Sequence, residues 1–333
     1  MTHITDRIGN SLKNISTTTT SMPTFFLAFF CIFLLLLLVA CDRGEEVKAV
    51  DFSKTVPLPS PEATPPDRPV LRGAVGAMIS PKETHEIYLQ LLAYISDRMD
   101  MELEFIQRQT YAEVNELLGR GDLDLAFICS GPYALGREEF DFELLATPVV
   151  QGEHEYRSYL IVHQESPFQS LEDLRGTTFA FTDPQSNTGR LVPEYWLARM
   201  GERPETFFRD VIYTYSHDNS IQAVAQGLVD GAAVDNLIWD FFDQKKPVHT
   251  SRTRIIKTSD SYGIPPIVVS SSLPPELTDQ IRDLLLGMHG DPHGAAILHE
   301  LMIDRFVRAD KAWYASIQDL HDTIDALRIN QQP

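Results

Sequence analysis

From residue 68 onward the apolar positions switch repeatedly between a strand period and a helix period. "VLRGAVGA" (70–77) predicts a strand, and "PKETHEIYLQLLAYISDRM" (81–99) predicts an amphipathic helix with Ile87, Leu91, Tyr94 and Ile95 on one side. "ELEFIQRQ" predicts a second strand and "YAEVNELLGRG" a helix ending at Gly119 and Gly121. "LDLAFIC" is continuously apolar, as a strand buried on both faces of a parallel sheet must be. The order βαβαβ predicts an α/β sheet.

The same logic restarts near residue 156. "YRSYLIVH" predicts a strand, "SLEDLRG" a short helix and "TTFAFT" a strand that feeds the turn "TDPQSNTGR". A helix over 190–200, the strand "DVIYTY", the helix "NSIQAVAQGLVDG" and the strand "AAVDN" follow. "TRIIKTSDSYGIPPIVVSSS" (253–272) is extended, and the rest is helical in three stretches. No tandem repeat is visible. The pattern predicts two α/β lobes, the second inserted in the first, with mixed sheets flanked by helices and crossings near 152–157 and 254–264. The expected division is 68–155 and 256–333 for the first lobe and 156–255 for the second.

The first 67 residues differ in character. A polar, Ser/Thr-rich segment with Arg7 and Lys13 precedes the apolar run "FFLAFFCIFLLLLLVA", which stops at Cys41. A basic region followed by a short apolar stretch reads as an export signal over 1–41. Its end, Leu38-Val39-Ala40-Cys41, resembles the lipobox of bacterial lipoproteins, which implies lipidation of Cys41 and, with Asp42 following, retention at the inner membrane. The alternative is an uncleaved anchor, although the run is slightly shorter than the roughly 20 residues of a spanning helix. Residues 42–67 are charged and then proline-rich, the composition of an extended spacer that packs no core.

The formal charge of −19 disfavours nucleic acid and anionic membrane surfaces, which need a basic footprint. Any anionic ligand must therefore be held by local dipoles against an adverse overall field. Of three cysteines, Cys31 and Cys41 belong to the leader, so Cys129 is the one thiol left in the processed body, where an apolar strand makes it an inert buried group. The ten histidines show no metal-ligand spacing, and no cofactor motif appears.

Three strand-to-helix junctions share a composition. "FICSGPYAL" holds Ser130 and Gly131, "TDPQSNTGR" holds Ser186, Asn187, Thr188 and Gly189, and "YSHDNSI" holds Ser216, His217 and Asp218. Ligands of open α/β sheets bind beyond the carboxyl ends of strands, where each following helix offers unpaired N–H groups and partial positive charge. Such ends hold anions without Lys or Arg. Helix capping alone is the competing account of each junction.

"YAEVNELLGRGDLDLAFICSGPY", "FTDPQSNTGRLVPEYWL" and "SHDNSIQAVAQGLVDGAAVDN" resemble the signature segments of the phosphate/phosphite/phosphonate-binding proteins of ABC importers, over about 68–300. The resemblance implies a type II periplasmic binding protein fold whose lobes close on an oxyanion. It also implies permease and ATPase partner subunits, a monomer, and no enzymatic activity. Carried over residue by residue, it makes Ser186, Asn187 and Thr188 anion donors beside Gly189, His217 an imidazole donor, and Tyr111 a lid over the ligand. Asp235 faces the site, and Ser130 with Gly131 forms the first lobe's turn. Aminophosphonate binders of the family carry a carboxylate in the returning segment, where this chain has Ile264 and Pro265. That departure favours phosphate, phosphite or a small phosphonate. Asp235 also matters for selectivity, because an ionised carboxylate only accepts hydrogen bonds and so tolerates an oxyanion that brings a proton.

Two other roles bear comparison. No G-x-S-x-G elbow surrounds any serine, which speaks against a hydrolase built on Ser130, His217 and Asp235. A sensor that reports its ligand to a membrane kinase uses the same closing body as a transporter component, so sequence leaves that alternative open.

Overall fold

The computed structural model describes residues 68–329, all within the compact unit that begins at Thr64. The expected signal, Cys41 and the proline-rich spacer lie outside the described residues. Two sheets organise the chain. The first runs in the order β11-β4-β10-β3-β1-β2 and the second in the order β7-β6-β8-β5-β9.

In the first sheet, β1 (Val70–Val75) pairs in parallel with β2 (Glu102–Ile106) and β3 (Leu125–Phe127). The connecting helices α1 (Pro81–Arg98) and α2 (Tyr111–Gly119) form where expected: Pro81 sits in the first turn of α1, and Thr110 with Glu113 makes a capping box on α2. Helix α3 (Ser130–Phe140) follows β3 directly. Strand β4 (Phe142–Val149) then runs antiparallel to β10 (Ile267–Ser270) and β11 (Arg305–Arg308).

In the second sheet, β6 (Thr178–Phe181) pairs in parallel with β7 (Asp210–Tyr213) and β8 (Gly231–Asp235). Helices α4 (Val192–Arg199), the short α5 (Pro204–Phe207) and α6 (His217–Ala225) connect these strands. Strand β5 (Glu155–His163) runs antiparallel to β8, and α7 (Asn236–Lys245) leads from β8 towards β9 (Thr253–Gly263). The chain closes with α8 (Pro275–Gly287), α9 (Pro292–Glu300) and α10 (Ala315–Ile329).

Sequence reading missed β4, β11 and α7, and it fused β9 with β10. Its boundary at residue 256 is also displaced. β9 pairs with β5 from His163↔Thr253 to Glu155↔Gly263, so residues 256–263 belong to the second sheet. The return to the first sheet comes at Ile264-Pro265-Pro266, where prolines without N–H groups end the ladder. The two crossing strands thus lie side by side.

At this crossing Gly263 passes close beneath the C-terminal segment. A Cβ there would lie 2.8 Å from the Trp313 carbonyl oxygen, a backbone atom with little freedom to move. Gly263→Ala is expected to destabilise the fold by about 1–3 kcal/mol through overpacking. Urea unfolding checks this; an unchanged midpoint would show that the crossing has slack.

Candidate functional site

The residues singled out from sequence share one structural position. Tyr111 opens α2, Ser130 opens α3, Asn187 opens a π-helical turn over Asn187–Leu191 that leads into α4, His217 opens α6, and Asp235 caps α7. Helix starts from both lobes therefore face one another across the cleft. All these side chains are buried, with no more than 1% of their surface exposed.

The central turn is shaped by its own polar groups. The Asp183 carboxylate accepts from Gln185 N–H at 2.7 Å, and Ser186 Oγ accepts from Gly189 N–H at 3.0 Å. Ser186 thus caps the turn through its oxygen and keeps its O–H to donate. Gly189 is required sterically, because a Cβ would lie 2.4 Å from Thr182 Oγ1. The π turn is a departure from the expected plain helix, and such turns recur at functional sites.

Asn187 Nδ2 donates one N–H to the Tyr156 hydroxyl at 3.2 Å, which leaves its second N–H to donate and an unpartnered Oδ1 to accept. The same Tyr156 hydroxyl bonds to Ser130 Oγ, so one phenol joins the turn of the first lobe to that of the second. Ser158 Oγ donates to the Thr188 carbonyl at 2.7 Å, and Ser158 stands opposite Asp235 in the β5–β8 register. Tyr156 and Ser158 were missed from sequence. The inward alternation of polar residues at 156 and 158 on a crossing strand was the available signal.

His217 is held in one tautomer. Its Nδ1 accepts from Asp235 N–H at 3.0 Å and lies 3.1 Å from Thr182 Oγ1, so the ring proton resides on Nε2. Burial pushes its pKa down to about 3, which keeps the ring neutral. His217 is thus an uncharged N–H donor. Burial pushes Asp235 up to about 7, against two backbone N–H groups that favour its charged form.

Of the residues singled out from sequence, four carry a buried side-chain atom without a partner: Tyr111 OH, Asn187 Oδ1, Thr188 Oγ1 and His217 Nε2. The contacts through Tyr156, Ser158 and Asp235 tie their residues into one cluster. Tyr111 is raised well above an ordinary phenol by burial, with further contributions from Cys129, Asp183, Asp235 and Tyr156, which places its ring in the same cluster. Cys129 is fully buried and its thiol is pushed up to about 11, consistent with an inert group.

The lobes are closed on each other. His217 N–H donates to the Met78 carbonyl at 2.9 Å, Ser80 N–H to the Asp218 carboxylate at 2.8 Å, and Tyr111 N–H to the Asp183 carboxylate at 3.2 Å. Two first-turn N–H groups, those of Tyr111 and His217, are therefore engaged between lobes. Gly131 sits at the closest approach: a Cβ there would lie 2.3 Å from the Gln185 carbonyl oxygen and 2.8 Å from Asn187 N. Ser130, His217 and Asp235 do not make a triad, because Nδ1 meets the Asp235 backbone and Ser130 meets Tyr156. No cluster suited to a metal ion occurs among the described residues.

Two inserted lobes, each a mixed sheet flanked by helices, with a buried polar cluster between them, define a type II periplasmic binding protein. The family model described as the periplasmic substrate-binding protein of phosphonate ABC transporters matches residues 74–314, and the chain belongs to that family. A probable phosphite-binding protein of an ABC transporter from Prochlorococcus marinus is 22% identical over 70% of this chain and 82% of its own length. Its solved structure in complex with methylphosphonate superposes with a TM-score of 0.70, at 20% identity, over 77% of this chain and 98% of that one. A phosphate-import protein of Mycolicibacterium smegmatis is 26% identical over 59% of this chain, which spans 65% of that protein. The binding component of a phosphonate transporter from Pseudomonas aeruginosa has a TM-score of 0.76 at 22% identity, covering 80% of this chain and 90% of that one. These relatives are transporter binding proteins rather than enzymes. No helix among the described residues is long and apolar enough to cross a membrane.

Two outcomes follow from this geometry. Gly131→Ala is expected to hold the lobes apart, lowering affinity for the ligand by at least about tenfold while thermal stability stays near wild type. Small-angle scattering should show the loss of closure, and a variant that still compacts would contradict the contact.

The pH dependence is the second. His217, with its pKa depressed in the fold, contributes stability that is present above pH 6.5 and lost as pH falls towards about 3. Asp235, with its pKa raised, contributes stability that is present below pH 3.8 and lost as pH rises through about 7. Between about pH 4 and 6.5 the folded and unfolded chains bind the same number of protons at these two sites, so their slopes cancel. Asp235→Asn should expose a stability that rises with pH in that window, and His217→Gln one that falls, each by up to about 1.4 kcal/mol per pH unit. Parallel profiles for the two variants in denaturant titrations would refute the assignment.

Proposed function

We propose that the chain captures a small phosphorus oxyanion, namely phosphate, phosphite or a small phosphonate, between its lobes and delivers it to permease and ATPase subunits. Lipid on Cys41 holds it at the periplasmic face of the inner membrane. The observation that carries the ligand class is the set of unpartnered buried atoms at the facing helix starts. A buried polar group without a partner costs about 1–3 kcal/mol, so such a set is favourable only when a ligand completes it.

Thr188 Oγ–H, Tyr111 O–H and the neutral His217 Nε2–H can donate to oxyanion oxygens, and the dipoles of the facing helices add positive potential. Asn187 Oδ1 and the Asp235 carboxyl can accept, which suits an oxyanion that still carries a proton. Sulfate is fully ionised at neutral pH and leaves those acceptors unpaired. No lysine or arginine is needed, which is consistent with the net charge of −19. The ligands named for the relatives, phosphite, methylphosphonate and phosphate, are of the same chemical class.

Calorimetry on Thr188→Val tests the proposal, because the change removes a hydroxyl and keeps the shape. The expected loss is about ten- to hundredfold in affinity for phosphate, phosphite or methylphosphonate, the effect of one hydrogen bond to a charged group. Sulfate should not compete. Wild-type affinity in Thr188→Val, or tight sulfate binding, would sink the proposal.

A further inference from the structure

A second feature of the cleft is unused by the oxyanion. Beyond Asp235 lies a hollow of about 70 Å³, walled by Tyr88 and Phe127 of the first lobe, Leu237 and Ile238 of α7, and Ile264 and Pro265 of the crossing segment. It adjoins the polar cluster at two points. Asp235 lines the hollow while its N–H holds His217, and Met78 lines it while its carbonyl accepts from His217 N–H.

We infer that this hollow receives an apolar organic substituent on phosphorus, so that the ligand is an alkylphosphonate larger than methylphosphonate. The inference rests on the oxyanion reading above and adds the class of substituent. Its size fits: a water needs roughly 10–15 Å³ of such space, so the hollow takes a chain of about three to five carbons. Its chemistry fits as well, because no lysine or arginine lines it and its walls are otherwise aliphatic or aromatic, apart from Gln151, Asp235 and Asp240. Both carboxylates are engaged at the start of α7: Asp235 Oδ1 accepts from Leu237 N–H at 2.8 Å, and Asp240 Oδ2 accepts from Asn236 Nδ2 at 3.2 Å. A substituent bearing a second acid group would meet two carboxyls and no cation. An ammonium would find only those two carboxyls and Gln151 as partners and would give up its hydration to the apolar walls around them. An alkyl chain loses nothing and buries its surface, which strengthens binding by about fourfold for each methylene.

Calorimetry of the purified protein with phosphite, methylphosphonate, n-propylphosphonate and 2-aminoethylphosphonate tests this. The last two are nearly isosteric and differ in the terminal group. The expected result is that n-propylphosphonate binds at least about tenfold more tightly than methylphosphonate, two methylenes' worth, and more tightly than 2-aminoethylphosphonate. Leu237→Trp, which fills the hollow from a partly exposed position, should abolish the propyl advantage and keep phosphite affinity within about threefold. Retained phosphite affinity also shows that the variant folds. Binding of methylphosphonate with weaker binding of the propyl compound would overturn the inference and leave the oxyanion reading intact. Preference for the aminoethyl compound would overturn it in favour of ammonium recognition by Asp235 and Asp240. Failure of all four to bind would remove the oxyanion reading as well.

Discussion

Facing helix starts, brought together where water is excluded, set up the positive potential on which the proposed anion site depends. The N-termini of α2, α3, the π turn before α4, α6 and α7 come from both lobes and meet at one buried cluster. No basic side chain compensates there. Instead the structure supplies neutral donors, and it fixes their protonation: the Asp235 N–H on Nδ1 leaves His217 with a proton at Nε2. A neutral donor can face an oxyanion or a protonated one without changing charge, whereas a lysine would bind any anion indiscriminately.

Closure is part of the same device. The Tyr156 hydroxyl links Ser130 to Asn187, and the first-turn N–H groups of Tyr111 and His217 bind acceptors across the cleft. Apart from the Tyr156–Asn187 bond, which lies within the second lobe, these hydrogen bonds form between lobes and so contribute to the closed state alone. Peripheral ion pairs such as Lys246 with Glu83 at 2.7 Å and Lys245 with Glu300 at 3.1 Å also span the closed molecule. Exposed pairs of this kind are each worth little, about 0–1 kcal/mol. The buried hydrogen bonds are the stronger latch, and Gly131 lets the two backbones come near enough to form them.

In the proposed reading, the polar cluster and the hollow beyond Asp235 separate affinity from selectivity. Oxygens on phosphorus are common to every ligand of the class, and the groups proposed to meet them are donors and acceptors at helix starts. What distinguishes one member of the class from another is the fourth substituent. In this chain the space on that side is bounded by Ile264, Pro265 and the aromatic rings of Tyr88 and Phe127. Asp235 stands between the two regions, lining the hollow while its N–H holds His217.

Much of the architecture was legible because periodicity is local. Period-2 and period-3.6 runs marked the βαβαβ order, and turns of small polar residues, two of them with a glycine, marked the helix starts at 130, 187 and 217. Strand β11 was not legible, since a short edge strand of mixed polarity carries no distinctive local pattern, whereas the largely apolar and buried β4 carried a signal that went unread. The division of 253–272 was also hidden, because whether an extended run pairs with β5 or with β3 depends on what lies beside it. At the cluster, composition indicated which residues were polar but could not assign their hydrogen bonds. Only packing decided that Ser186 caps Gly189, that Asn187 turns its amide to Tyr156, and that Tyr156 and Ser158 come in from the crossing strand. The chain by itself determined the kinds of group available and their order along the backbone. Which atoms remain unpartnered and face each other was decided by the closing of two lobes, since a hydrogen bond between residues far apart in sequence exists only once the fold has brought them within about 3 Å.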